Sequence, residues 1–175
     1  MTEPREFELS FFPDPVLRKS TARVERFDDE LGAIAAGMVQ RMHASRGVGL
    51  AAPQVGLGVR IFVMSPEGKE GDETVMVNPE ILSRGRTVTT YEEGCLSFPG
   101  IFAEILRPED CAVRYQTVLG ETIEESFGGF PSRVIQHEFD HLEGVLFTDR
   151  MTPADKQRLR RDLEELIETF KQKRG

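Results

Sequence analysis

The 175-residue sequence has no tryptophan, two tyrosines, two cysteines and three histidines. Two cysteines, Cys95 and Cys111, are too few to staple a fold, and they read as reduced thiols rather than a disulfide framework. No run of about 18 apolar residues occurs, which excludes a membrane-spanning helix. The first ten residues carry three glutamates and no apolar stretch, so neither a secretory signal nor an organellar transit peptide is expected, and the chain is expected in the cytoplasm. Positive charge is also scarce, with 22 Lys and Arg against 30 Asp and Glu and a net charge of -8. Such a chain lacks the clustered cations that holding DNA requires.

What remains is a globular composition, 39% hydrophobic and 30% charged, at a length that suits one domain over residues 1–175. There is no internal repeat. Pro13-Asp14-Pro15 reads as a turn. Asp28 and Asp29 can cap a helix over 29–44, whose apolar residues Leu31, Ile34, Ala35, Met38 and Met42 fall at helical spacing. The stretch from Gly47 to Gly56 carries three glycines and a proline, which forbids a regular helix there.

Strand-like runs follow at 59–64, 74–77, 86–91, 112–117 and 122–127, with 66–73 an exposed loop and the last two runs joined as a hairpin. Pro131 suits the first turn of a helix running through Glu143 and stopping at Gly144. A C-terminal helix over 153–173 starts with Thr152 as cap and Pro153 in its first turn. Leu159, Leu163, Leu166 and Phe170 form its apolar stripe.

His137-Glu138-Phe139-Asp140-His141 is an HExxH pattern holding two of the three histidines. Four helical steps overshoot a full turn by only about 40°, so both imidazoles lie on one face and can share a metal ion. Glu138, beside them, can move a proton to or from a water on that metal. A catalytic site needs a third protein ligand. The position ten residues after His137 is Phe147, which excludes the metzincin arrangement. Glu164, Glu165 and Glu168 are candidates by spacing, as in a thermolysin-like endopeptidase, yet they fall where a helix would be solvated. Cys95, in Glu93-Gly94-Cys95-Leu96-Ser97, offers a thiolate, and a Cys, His, His site with water is the reading the chemistry favours.

Three segments together resemble the peptide deformylase family: Gly47–Gly56 (GVGLAAPQVG), Glu93–Ser97 (EGCLS) and Gln136–Leu142 (QHEFDHL), in that order, with Pro13–Arg18 similar as well. The resemblance spans essentially the whole chain. It implies an α+β fold, with antiparallel β-sheets packed around a central helix carrying HExxH. It implies a hydrolase that removes the formyl group from the N-terminal formyl-methionine of nascent polypeptides. Cys95, His137 and His141 would then bind one divalent metal, iron(II) in cells, with zinc, nickel or cobalt able to replace it. Glu138 would be the general base and acid. Gln54 and the Leu96 N–H would hold the developing oxyanion. Gly49 would offer its backbone to the substrate.

By position in these motifs, Val48, Tyr91, Phe130, Arg133 and Val134 would line a pocket for the methionine side chain, with His137. The stem of Arg133 is expected to pack while its guanidinium reaches water. Arg107 would brace Glu93 behind the cysteine loop. The resemblance also implies bacterial origin and a ribosome contact through the C-terminal helix. Residues 153–175 carry seven basic and five acidic residues in an otherwise acidic chain.

Overall fold

The computed structural model describes residues 3–174. Helix α1 (Asp29–Ala44) begins where the Asp28 side chain accepts the Leu31 N–H at 3.1 Å. Leu31, Ile34, Ala35, Met38 and Met42 form its buried stripe, at the spacing the pattern requires. The chain then gives strand β1 (Gly49–Ala51), a single 3-10 turn (Ala52–Val55), and strands β2 (Ile61–Met64) and β3 (Thr74–Arg84). Strands β4 (Val88–Cys95), β5 (Phe98–Pro108), β6 (Cys111–Gln116) and β7 (Thr122–Phe127) precede helix α2 (Gly129–Leu142). Helices α3 (Pro153–Arg158) and α4 (Arg160–Arg174) close the chain.

Strands β1, β2, β3, β6 and β7 lie side by side in that order as one antiparallel sheet, while β4 and β5 pair only with each other. Helix α1 packs on the large sheet through Leu50, Ile61, Val63 and Val77. Helix α2 packs on it through Val134, Ile135 and Leu142 against Phe62, Met64 and Met76. The β4–β5 hairpin buries Phe98, Ile101, Ala103 and Ile105 with Phe147, Met151 and Leu159, and Leu163 and Leu166 of α4 pack beside them. The architecture is α+β, with α2 at its centre.

Several expectations are corrected. The strand expected over 74–77 runs on to Arg84, and the one expected over 86–91 runs to Cys95. Strand β5, eleven residues long, and the short β1 were not anticipated. The C-terminal helix is interrupted at Leu159, a buried residue between α3 and α4. Thr152 does cap α3, accepting the Asp155 N–H at 3.1 Å.

Helix α2 is unusual in what it buries. Ser132, Arg133, Gln136, His137, Glu138, Asp140 and His141 are all buried on it. Buried polar groups persist only when they are paired or when function requires them.

Candidate metal centre

Two elements build the centre. Cys95 is the last residue of β4, just before the Leu96-Ser97 turn into β5, and the two histidines stand one helical turn apart on α2. Ligand atoms of Cys95, His137 and His141 all lie within 4.8 Å of one another, the group of this kind found among the described residues. The Cys95 Sγ and His141 Nε2 atoms are 3.3 Å apart. Ligands 2.0–2.3 Å from a tetrahedral ion stand roughly 3.3–3.8 Å from each other, so this spacing suits one ion. His137 Nδ1 meets Glu93 Oε1 at 2.8 Å, which leaves Nε2 for a metal. Burial holds His141 well below the usual imidazole range, in the neutral form that ligation needs.

The electrostatics also favour a cation. Burial alone would keep His137 neutral. The neighbouring Cys95 sulfur and Glu93 carboxylate outweigh that and draw it up to about 10. Glu93 itself, though buried, is held well below the usual carboxylate range by His137 and Arg107. The Cys95 sulfur and the Glu93 carboxylate therefore favour positive charge beside His137.

Glu138 is 4% exposed, and its Oε2 has no hydrogen-bond partner among the described residues. Burial pushes its carboxyl up to about 7, with the nearby His137 charge pulling the other way. Its carboxylate packs against Gly49, where a Cβ would meet Glu138 Oε1 at 2.7 Å. Gln54 is oriented from behind, because the Ala51 N–H donates to its Oε1 at 2.9 Å. Its Nε2 is thereby aimed at Ser97 Oγ (3.2 Å) and Cys95 Sγ (3.5 Å). The N-terminal segment ties these two loops together. The Ser10 N–H donates to the Gln54 carbonyl and the Phe12 N–H to that of Ser97, at 2.6 and 2.9 Å.

A cleft of about 710 Å³ opens onto Cys95, His137 and Glu138. Val48, Gly49, Gln54, Tyr91, Glu93, Leu96, Phe130, Arg133 and Val134 line it too, whereas His141 and Arg107 lie behind the wall. Tyr91 is half exposed and packs against Phe130 with ring centres 5.4 Å apart. Val134 serves both the cleft and the core under α2.

Arg133 departs from expectation. Its guanidinium does not reach water; the residue is 6% exposed and donates to Glu93, the Ile105 carbonyl and Thr89. The reason is that the β4–β5 hairpin closes over the position and supplies the acceptors, Glu93 and Thr89 from β4 and the Ile105 carbonyl from β5. Arg107 forks onto Glu93, with Nε to Oε2 at 2.7 Å and Nη2 to Oε1 at 3.0 Å, and reaches Asp140 at 2.8 Å. Arg150 also grips Asp140, at 2.6 and 2.8 Å.

Sequence reasoning missed Leu9, Phe11, Phe98 and Phe102 on the cleft wall. The first two lie in an irregular segment with no motif. The last two belong to the unanticipated β5. The thermolysin-like alternative is overturned: Glu164, Glu165 and Glu168 are exposed on α4, and Cys95 is the residue that joins the two histidines.

The family model described as polypeptide deformylase matches residues 7–157. Peptide deformylase 1B, chloroplastic/mitochondrial, of Arabidopsis thaliana is 43% identical over 166 residues, covering 94% of this chain and 61% of that protein. The chain thus spans about three-fifths of the length of such plant relatives. The peptide deformylase of Thermotoga maritima is 45% identical over 165 residues, covering 94% of this chain and 99% of that protein. Among solved structures, a plant peptide deformylase crystal structure superposes with a TM-score of 0.95 at 39% identity, covering 99% of this chain and 95% of the other. The Thermotoga maritima structure gives 0.81 at 46% identity, over 85% of this chain and 99% of the other.

Proposed function

The chain belongs to the polypeptide deformylase family, and on that premise we propose that it hydrolyses the formyl group from the N-terminal formyl-methionine of newly synthesised polypeptides, releasing formate. The observation that carries this reading is the convergence of Cys95, His137 and His141 within 4.8 Å beside the unpartnered, buried carboxylate of Glu138.

Cys95, His137 and His141 would hold one divalent ion. When bound, that ion lowers the pKa of a water toward neutrality and polarises the formyl oxygen. The chain's own residues do the remaining work. Glu138, drawn up to about 7 by burial, takes a proton from the attacking water and hands it to the amine as the C–N bond breaks. Gln54 Nε2, pre-aimed by the Ala51 N–H, and the Leu96 N–H donate to the formyl oxygen as it gains charge. One such donor is worth about 3–4 kcal/mol in a transition state. The backbone of Gly49, in β1 on the cleft wall, holds the peptide in an extended form. Val48, Tyr91, Phe130, Arg133 and Val134 receive the methionine side chain. Glu93 and Arg107 orient His137 from behind.

Within this reading the ion is iron(II), and zinc, nickel or cobalt can replace it; a thiolate and two imidazoles suit all of them. The protein works in a bacterial cytoplasm as one catalytic domain. None of the described helices is long and apolar enough to cross a membrane. Helix α4 meets the ribosome, supported by the excess of basic residues in 153–175 and by its position. Lys173 Nζ lies 5.6 Å from the ring centre of Phe11, which lines the cleft.

The test is formate release from a short formyl-methionyl peptide by protein loaded anaerobically with iron(II), with E138A alongside. Release by the wild type, reduced at least 100-fold in the variant, is the expected result; about 10²–10⁴ is the usual range for general acid–base catalysis. No release from wild type carrying a verified ion would overturn the reading.

A further inference from the structure

Four N–H groups converge on the Glu93 carboxylate. His137 Nδ1 and Arg107 Nη2 reach Oε1 at 2.8 and 3.0 Å, and Arg107 Nε and Arg133 Nη1 reach Oε2 at 2.7 and 2.9 Å. Arg107 comes from β5, so its fork onto Glu93 stays within the hairpin. Arg133 comes from α2, one helical turn before His137. Its remaining donors cross to the same hairpin. Nη1 donates to the Ile105 carbonyl on β5 at 2.8 Å, and Nη2 to the Thr89 carbonyl and Oγ1 on β4 at 2.9 and 3.2 Å. A single buried side chain thus joins the helix that bears two metal ligands to both strands of the hairpin that ends in the third. The Arg107–Asp140 contact, at 2.8 Å, makes a second clip three residues after His137. The two clips bracket that histidine.

We propose that Arg133 is a positioning residue for the metal centre, setting the His137 ring through Glu93 and the separation of Cys95 from the two histidines through Thr89 and Ile105. It is more than a pocket wall. The two terminal nitrogens of the planar fork serve four acceptor atoms on Glu93, Ile105 and Thr89 together; a lysine ammonium carries three donors on a single nitrogen and cannot span all four. The inference rests on the metal reading above.

The experiment compares wild type, R133M and R133K for zinc(II) affinity by chelator competition, and for the visible absorption of the cobalt(II)-loaded protein. Partners that orient a metal-bound histidine are worth roughly 10–100-fold in affinity. R133M is therefore expected to bind zinc(II) at least about tenfold more weakly, with an altered cobalt(II) spectrum. R133K, which keeps the charge and loses the fork, should recover part of the affinity but not the wild-type spectrum. Formate-release kinetics should show the loss in kcat. If R133M binds zinc(II) as tightly as wild type, with the same cobalt(II) spectrum and a change only in KM, Arg133 is merely a pocket wall and the proposal fails. If R133M does not fold, R133K decides, and wild-type affinity and spectrum in R133K overturn the proposal equally. A wild type that binds no zinc(II) at all would overturn the metal reading itself, an outcome distinct from equal binding by wild type and variant.

Discussion

Glycine 49 shows how closely single atoms are fitted at this site. It lies in β1, opposite Met64, with the Glu138 carboxylate against its Cα. A methyl group there would stand 2.7 Å from Glu138 Oε1 and 2.9 Å from its Cγ. The strand conformation accepts alanine, so the backbone has no reason to refuse the change; the collision falls on the carboxylate. Glu138 must then swing or shift by the better part of an ångström. A misplacement of that size can cost on the order of 100-fold in rate. G49A is therefore expected to keep its metal, because none of the three ligands moves, and to lose about 100-fold in kcat for formate release. Metal content measured beside the rate checks both halves. Full activity in G49A would mean that Glu138 works equally well from a displaced position. Gly49 is thus constrained by its neighbour on α2, independently of any role its backbone has toward substrate.

At the level of elements, the turn after α2 fixes where the chain leaves the centre. Gly144 has φ of +73°, and a Cβ on it would meet the Arg18 carbonyl oxygen at 2.5 Å. Both the left-handed conformation and the close backbone approach demand glycine. G144A should destabilise the fold by about 1–3 kcal/mol, or a drop in Tm of roughly 2–12 °C at this size, measured by thermal unfolding. The ligands lie further back along the helix, so the residual folded protein should still bind metal. This stop was legible in the sequence, as were α1 and α2, because the 3.6-residue apolar period of α1, and the proline and glycine that bound α2, are local signals. Strand β5 was not. Its inward residues Ile101, Ala103 and Ile105 alternate with outward Phe102 and Leu106, which are also apolar, and its inward run ends in the buried Arg107. The alternation that marks a strand is blurred at both ends. The far half of β3 was hidden in the same way by Glu80, Ser83 and Arg84, polar residues on an exposed stretch. For the candidate site, the cysteine, histidines and Glu138 could be read from residue type and spacing. The burial of Arg133 could not, since its acceptors come from strands 28 and 44 residues away.

Across the whole molecule, the hairpin carrying Cys95 is not hydrogen-bonded strand to strand with the five-stranded sheet. It is held by its apolar cluster with Phe147, Met151 and Leu159, by the buried Arg133–Glu93 and Arg107–Asp140 pairs that reach α2, and by backbone bonds at its base, Gly85 N–H to the Asp110 carbonyl and Glu109 N–H to that of Thr87. Helix α2, by contrast, is packed against the large sheet. An ion bound by Cys95, His137 and His141 would therefore add a direct link between the end of β4 and α2, beyond the side-chain pairs and the backbone bonds at the hairpin's base and to the N-terminal segment. A ligand that binds only the folded state adds about 2.7 kcal/mol at a free concentration 100 times its Kd. For a chain of this size, that corresponds to roughly 5–10 °C in Tm. Chelation should lower the Tm of metal-loaded wild type by about that amount, and readdition of zinc(II) should restore it. C95A removes the hairpin's contribution while leaving both histidines on α2. It should unfold near the temperature of the chelated wild type and respond to neither chelator nor zinc(II). An unchanged Tm on stripping wild type verified to carry one ion would show that the junction is set without the ion. A C95A protein that still gained stability from zinc(II) would show that the histidines bind it without the hairpin. The metal would then join nothing, and Cys95 would have to be assigned to packing.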